Sequence, residues 1–255
     1  MRKVILCCLF LFFLCFSGPI GGNNEKEESP TPVAIDEGQS LYEQMNLGEL
    51  IGFDAFKLAY AGYKKLNKNN NSLLTLIDFT QPSTKKRMYV LDLAKKKILF
   101  VSYVSHGRNS GENYATSFSN KDGSHKSSLG FYLTAGTYNG GNGYSLRLDG
   151  LEKGINDKAM QRAIVMHGAD YCSEKVIQST GRLGRSFGCP ALPREVTKPI
   201  IDTLKGGSLL FIYSDQPEYL ANSEIVKEEQ ILMDKGILSA QNKENRFFTS
   251  SSTGS

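Results

Sequence analysis

Cys189 stands in a loop rich in glycine and arginine, Gly184-Arg185-Ser186-Phe187-Gly188-Cys189-Pro190, twenty-two residues after the pair His167-Gly168. A thiol becomes a nucleophile as its thiolate, and a neighbouring imidazole can take the proton and later return it to a leaving amine. These residue types and their order point to acyl transfer through a thioester, with Cys189 as nucleophile and His167 as base. The glycines of this loop let backbone N–H groups approach a reacting carbonyl, as an oxyanion site requires. Arg182 and Arg185 are the nearby cations, suited to favouring a thiolate or to gripping a substrate carboxylate.

Other readings of the same residues exist. Cys172 and Cys189 are the two cysteines outside the first 22 residues, and a single disulfide between them is the plain structural alternative. His106 ends a second strand and is read either as a groove residue that contacts substrate or as an exposed loop histidine, whereas His125 lies in a polar run and is read as solvated. Tyr144 and Arg147 lie three apart in one strand, so they face opposite sides, and one of them is expected in the groove. Asp149, Asp170 or a backbone carbonyl is left to orient His167. Short metal-ligand spacings are missing, so neither a metal nor another cofactor is expected.

These residues need a scaffold, and the pattern predicts a mainly β one. Strands are expected at 73–79, 88–93, 98–105, 130–135, 144–148, 163–166 and 209–213. A Gly/Ser/Asn-rich segment, 107–128, joins two of them, and a connection that long is usually functional. Short helices fit 170–179 and 193–204. The catalytic domain is therefore placed at 72–215. Before it, 41–71 is read as a helical N-terminal extension whose Phe53, Phe56, Ala59, Tyr60 and Tyr63 recur at helical spacing as a packing face. After it, 216–255 is read as a polar tail with a helix from Ser223 to about Leu238.

The start of the chain predicts its destination. Arg2 and Lys3 precede an unbroken apolar run of 13 residues, Val4 to Phe16. That length suits a signal peptide and is short of the roughly 20 residues a membrane span needs. We read 1–22 as signal peptide and 23–40 as linker, giving an exported protein of the periplasm or cell envelope with no membrane span after cleavage. The formal charge of +4 falls to +2 without Arg2 and Lys3, too small to suggest nucleic acid. Oligomeric state is not legible.

His167-Gly168 followed by Ser186-Phe187-Gly188-Cys189-Pro190 resembles the YkuD-type catalytic domain of murein L,D-transpeptidases. The resemblance extends upstream to Ser127-Ser128-Leu129-Gly130-Phe131-Tyr132, to Val104-Ser105-His106-Gly107 and to Tyr144 through Gly150, covering about 72–215. It implies a β-sandwich or barrel-like sheet with the thiol in a groove, Gly188 and the Cys189 N–H bordering the oxyanion, and Ser186 shaping the loop. It also implies peptidoglycan stem peptides as substrates: the stem acylates Cys189, D-alanine leaves, and a neighbouring amine accepts the acyl group. Two departures stand out. Phe187 takes a place where many members have His, and Ala191 one where many have Arg. The same pair with water as acceptor gives a carboxypeptidase, endopeptidase or amidase, and loss of chemistry would leave a wall-binding module.

Overall fold

The computed structural model describes residues 36–67 and 71–236. The signal peptide at 1–22, the linker up to residue 35 and the tail from 237 onward lie outside the described residues. The architecture is mainly β: eight strands, β1 (Leu73–Asp78), β2 (Met88–Asp92), β3 (Lys97–Ser102), β4 (Gly130–Gly140), β5 (Gly143–Gly150), β6 (Val165–Gly168), β7 (Ala191–Leu192) and β8 (Leu209–Tyr213). They form one sheet in the order β3-β2-β1-β8-β4-β5-β6-β7. Ser105, just past β3, bridges Ala191 of β7 and donates its N–H to the Ala191 carbonyl at 2.8 Å. The two edges of the sheet are thereby tied together, so the sheet is nearly a closed barrel and its edges are not left open for pairing.

β1, β2 and β8 are buried on both faces and read as nearly continuous apolar runs, such as Leu209-Leu210-Phe211-Ile212-Tyr213. β4 runs five residues past its expected end. A register shift between Thr134 and Thr137 absorbs Gly136, and the strand continues to the Gly140–Gly143 turn. β7, only two residues long, has no sequence signal, because a pair of apolar residues between two prolines is too short to show a period.

The helical segment expected at 41–71 is two helices, α1 (Glu37–Gln44) and α2 (Phe53–Leu66). Asn46 takes a positive φ of 53°, and Gly52 caps the second helix, so the chain turns between them. From α2, Ala55, Phe56, Leu58 and Ala59 are fully buried in the core shared with the sheet, while Tyr60 and Tyr63 are half-buried. Gly62 sits against Phe131 so closely that a Cβ there would lie 2.0 Å from the ring. The described helices and sheet fall in a single compact unit.

Two further helices are α3 (Glu174–Thr180) and α4 (Arg194–Leu204). The helix expected at 223–238 starts only at residue 227 and runs through 236 among the described residues, and it is preceded by a helix that was not expected, α5 (Pro217–Asn222). Pro217 starts α5, as its fixed φ favours. Ser223 leaves the helix because its hydroxyl donates to the buried carboxylate of Glu152, which also accepts from Phe131 N–H at 2.7 Å and from Tyr219 Oη at 3.2 Å.

Candidate active site

Pairing across the barrel sets out the site. Tyr138 of β4 pairs with Ser145 of β5, Ser145 with His167 of β6, His167 with Ala191 of β7, and Ala191 with Ser105. Directly paired residues point to the same face. His167 thus sits in a row that passes through Ala191, two residues past Cys189, and ends at Ser105. The thiol itself lies along β6: Val165 N–H points at Sγ from 3.4 Å, and Sγ faces the Ala163 carbonyl at 3.7 Å. Ala163 holds that carbonyl in place with a φ of +52°, in the left-handed region. One short strand therefore carries the imidazole and cradles the thiol.

His167 is buried, and its Nδ1 lies 3.1 Å from the Gly168 carbonyl. A carbonyl only accepts, so Nδ1 carries the hydrogen and Nε2 the lone pair. A backbone carbonyl, rather than Asp149 or Asp170, sets the tautomer. Asp149 is exposed, and Asp170 is bound by Arg194 through Nε at 2.5 Å and Nη2 at 3.0 Å. Gly168 has to be glycine, because a Cβ would meet Thr197 Oγ1 of α4 at 2.8 Å. Burial lowers the His167 pKa, and the Arg194 charge acts in the same direction, so the ring is neutral at neutral pH.

Cys189 is a free thiol, as is Cys172, and its side chain is buried. Burial pushes its pKa up; the Val165 N–H, the charge of Arg162 and its own N–H pull the other way. The resting pair is thus a neutral thiol and a neutral imidazole. Ser186 closes the loop, its hydroxyl donating to the Cys189 carbonyl at 2.7 Å and accepting from Gly188 N–H at 3.0 Å. That bond occupies the Gly188 N–H, so this donor is not available to an oxyanion and only the Cys189 N–H remains of the expected two. Gly188 has a φ of +122°, open to glycine alone, and its carbonyl accepts from Ser127 Oγ at 3.1 Å.

The expected cations lie elsewhere. Arg182 and Arg185 both pair with Glu112, at 2.9 and 2.7 Å, and Arg185 also donates to the carbonyls of Arg108 and Gly111. They staple the 107–128 segment to the cysteine loop and are spent there. The cation beside Cys189 is Arg162, which sequence reading missed. It donates to Ser119 O (2.8 Å), Ser128 Oγ (2.5 Å), Ser124 Oγ (3.3 Å) and Lys126 O (2.7 Å). Its one sequence signal was its position directly before the buried strand that leads to His167.

His106 is also corrected. It is 1% exposed, and Nε2 faces the Gly111 carbonyl at 3.3 Å while Nδ1 accepts from Arg87 Nη2 at 2.7 Å. Both nitrogens are engaged, so His106 positions the loop and offers no face to a ligand. Arg87 is fully buried, donates also to the Val104 and Gln81 carbonyls, and lies over the Phe79 ring at 4.7 Å. Tyr144 turns to α4, donating to Asp202 at 2.8 Å. Arg147 pairs across from Val165, shares the face of His167, and covers the Tyr138 ring at 4.3 Å. His125, expected in solvent, is half-buried against Phe187, with ring centroids 4.5 Å apart. Tyr171, also missed, lies near enough to Cys189 that burial first, and then a charge on the thiol, raises its pKa.

The L,D-transpeptidase catalytic domain family matches residues 48–213, well over half of the chain. No curated protein matches it. Among solved structures, an L,D-transpeptidase from Mycobacterium smegmatis is 12% identical, with 56% of this chain and 59% of that chain covered and a TM-score of 0.35. The helical cell shape determining protein Pgp2 from Campylobacter jejuni is 18% identical over 63% of this chain and 54% of that chain, with a TM-score of 0.40. An L,D-transpeptidase from Stackebrandtia nassauensis is 13% identical over 70% and 76%, with a TM-score of 0.35. The chain thus spans little more than half the length of the first two.

Proposed function

The chain belongs to the L,D-transpeptidase catalytic domain family, and on that premise we propose that it is an exported cysteine acyltransferase of peptidoglycan. Cys189 attacks the carbonyl of a stem peptide, His167 Nε2 takes the thiol proton, and the same proton is returned to the departing D-alanine amine. A neighbouring stem's amine then attacks the thioester and regenerates the thiol. The observation that carries this reading is the placement of Cys189 along β6, against Val165 N–H, while His167 follows two residues later in the same strand with its tautomer set by Gly168. The neutral pair calls for proton transfer during attack rather than a preformed thiolate. The Cys189 N–H is assigned to the oxyanion, and Arg147, on the His167 face, to a substrate carboxylate.

The test is incubation of the purified protein with a disaccharide-tetrapeptide, followed by intact mass of protein and products, alongside Cys189→Ala. Transfer yields an adduct on Cys189 lacking D-alanine and then a dimeric product. Adduct with tripeptide alone moves the function to hydrolysis with the same pair. Equal behaviour of wild type and Cys189→Ala overturns the reading.

A further inference from the structure

Phe187 stands two residues before the nucleophile and is 62% exposed, the most exposed large hydrophobic side chain among the described residues. It is nevertheless held in place from two sides. The His125 ring lies against it, and the Arg108 guanidinium sits 5.5 Å from its centroid. The supports are fixed by backbone. Arg108 N–H donates to the Ser186 carbonyl at 2.7 Å, and Asn109 N–H to the His125 carbonyl at 3.2 Å. His125 is held at a φ of +52°, which a non-glycine residue rarely adopts without compensation. Arg108 is exposed, and among the described residues its guanidinium donates to no protein acceptor; the nearby Glu112 is taken by Arg182 and Arg185.

An exposed aromatic ring braced by a guanidinium with unused donors suits one ligand chemistry. A guanidinium stacked on a ring keeps its in-plane N–H groups free to bind a carboxylate in pairs, and the remaining ring area takes an apolar group beside it. Resting on the stem-peptide reading above, we propose that Arg108, Phe187 and His125 form a specificity site for the free C-terminal carboxylate and short aliphatic side chain of the terminal D-amino acid of the donor. Arg108 binds the carboxylate, Phe187 covers the aliphatic group, and His125 fixes the ring.

The experiment is calorimetric titration of Cys189→Ala, which cannot turn over, with two probes: a tetrapeptide stem ending in D-alanine, and the same peptide with that end as carboxamide. The carboxylate peptide binds about tenfold or more tightly, the worth of a charge-assisted pair. Adding Arg108→Gln brings the ratio to about one, with affinity for the amide unchanged. Phe187→Ala weakens both peptides alike. Equal binding of the two peptides by Cys189→Ala, or a ratio unmoved by Arg108→Gln, overturns the proposal. Adduct formation by the wild type, read by mass, separates the two levels: an adduct without carboxylate preference sinks only this site, whereas preference without adduct sinks only the acyltransferase reading. Arg108 is exposed, so an unchanged melting temperature certifies the fold of the variant.

Discussion

The Val165 N–H and the Cys189 sulfur meet at 3.4 Å, and this contact places the thiol alongside β6, the strand that carries His167. The sulfur occupies a position along β6 just before the two residues of β7 begin to pair with it. The placement of this thiol beside the imidazole's strand is a matter of sheet register.

The reactivity of Cys189 toward iodoacetamide should report this resting state. Burial holds the thiol above its ordinary pKa of 9.0. The alkylation rate, followed by intact mass, is expected to rise with pH through a midpoint above 9. A midpoint below 7 would instead indicate a preformed thiolate–imidazolium pair.

Turnover should depend on pH differently. His167 must be neutral to accept the proton, and its pKa lies below the ordinary 6.5. The acid limb of kcat/KM is therefore expected to fall only below pH 6.5. His167→Gln should lower kcat/KM at pH 7 by about 10²–10⁴-fold, with residual activity that climbs toward alkaline pH as the thiolate forms unaided. A variant with the wild-type profile would remove His167 from the reaction.

Arg162 makes four hydrogen bonds that hold 119–128 over the cysteine loop. Arg162→Met should cost about 2–4 kcal/mol in urea unfolding, since several buried acceptors lose a charged donor. Hydrogen exchange should quicken across 117–128. Arg162→Lys should recover only part of this, because an ammonium cannot serve four acceptors in the guanidinium plane.

His106 makes stability pH-dependent. Its folded pKa is lowered to about 4 from 6.5, by burial first and then by the Arg87 charge. Between these values the unfolded chain binds the extra proton, so stability is fully present above pH 6.5 and is lost as pH falls toward 4. The loss amounts to about 3 kcal/mol. His106→Gln should flatten that part of the profile, whatever its absolute stability. An unchanged slope would place the titration on another group.

Gly62→Ala tests whether α2 is integral to the catalytic unit. Its Cβ would fall 2.0 Å from the Phe131 ring, which is itself stacked on Phe211 at 4.1 Å. A loss of about 1–3 kcal/mol is expected in thermal or urea unfolding, from overpacking at that seam. No change would mean that α2 moves away at little cost.

Much of the fold was legible locally. Apolar runs at 73–78, 88–92 and 209–213 are strands because buried strands need such runs whatever their neighbours. β7 and the far half of β4 were not legible, since one is too short for a period and the other depends on a bulge. The break at Asn46 and the non-helical place of Ser223, expected to begin a helix, were missed for different reasons. Asn46 follows a turn that its φ permits, whereas Ser223 answers to a carboxylate 71 positions away in sequence.

By itself the sequence determined the nucleophile and base expected of the chain, Cys189 and His167, because thiol and imidazole chemistry is written in residue type and short spacing. Tertiary structure alone decided which charges surround them. Arg182 and Arg185 are adjacent to the cysteine loop in sequence, yet Glu112 claims both, and Arg162 takes the place beside the thiol. Tertiary structure also turned Arg147 toward the His167 face and Tyr144 toward α4, and it closed both nitrogens of His106. The physical reason is that a side chain's intrinsic chemistry is local, whereas its partner, exposure and pKa are set by residues brought near only when the barrel closes.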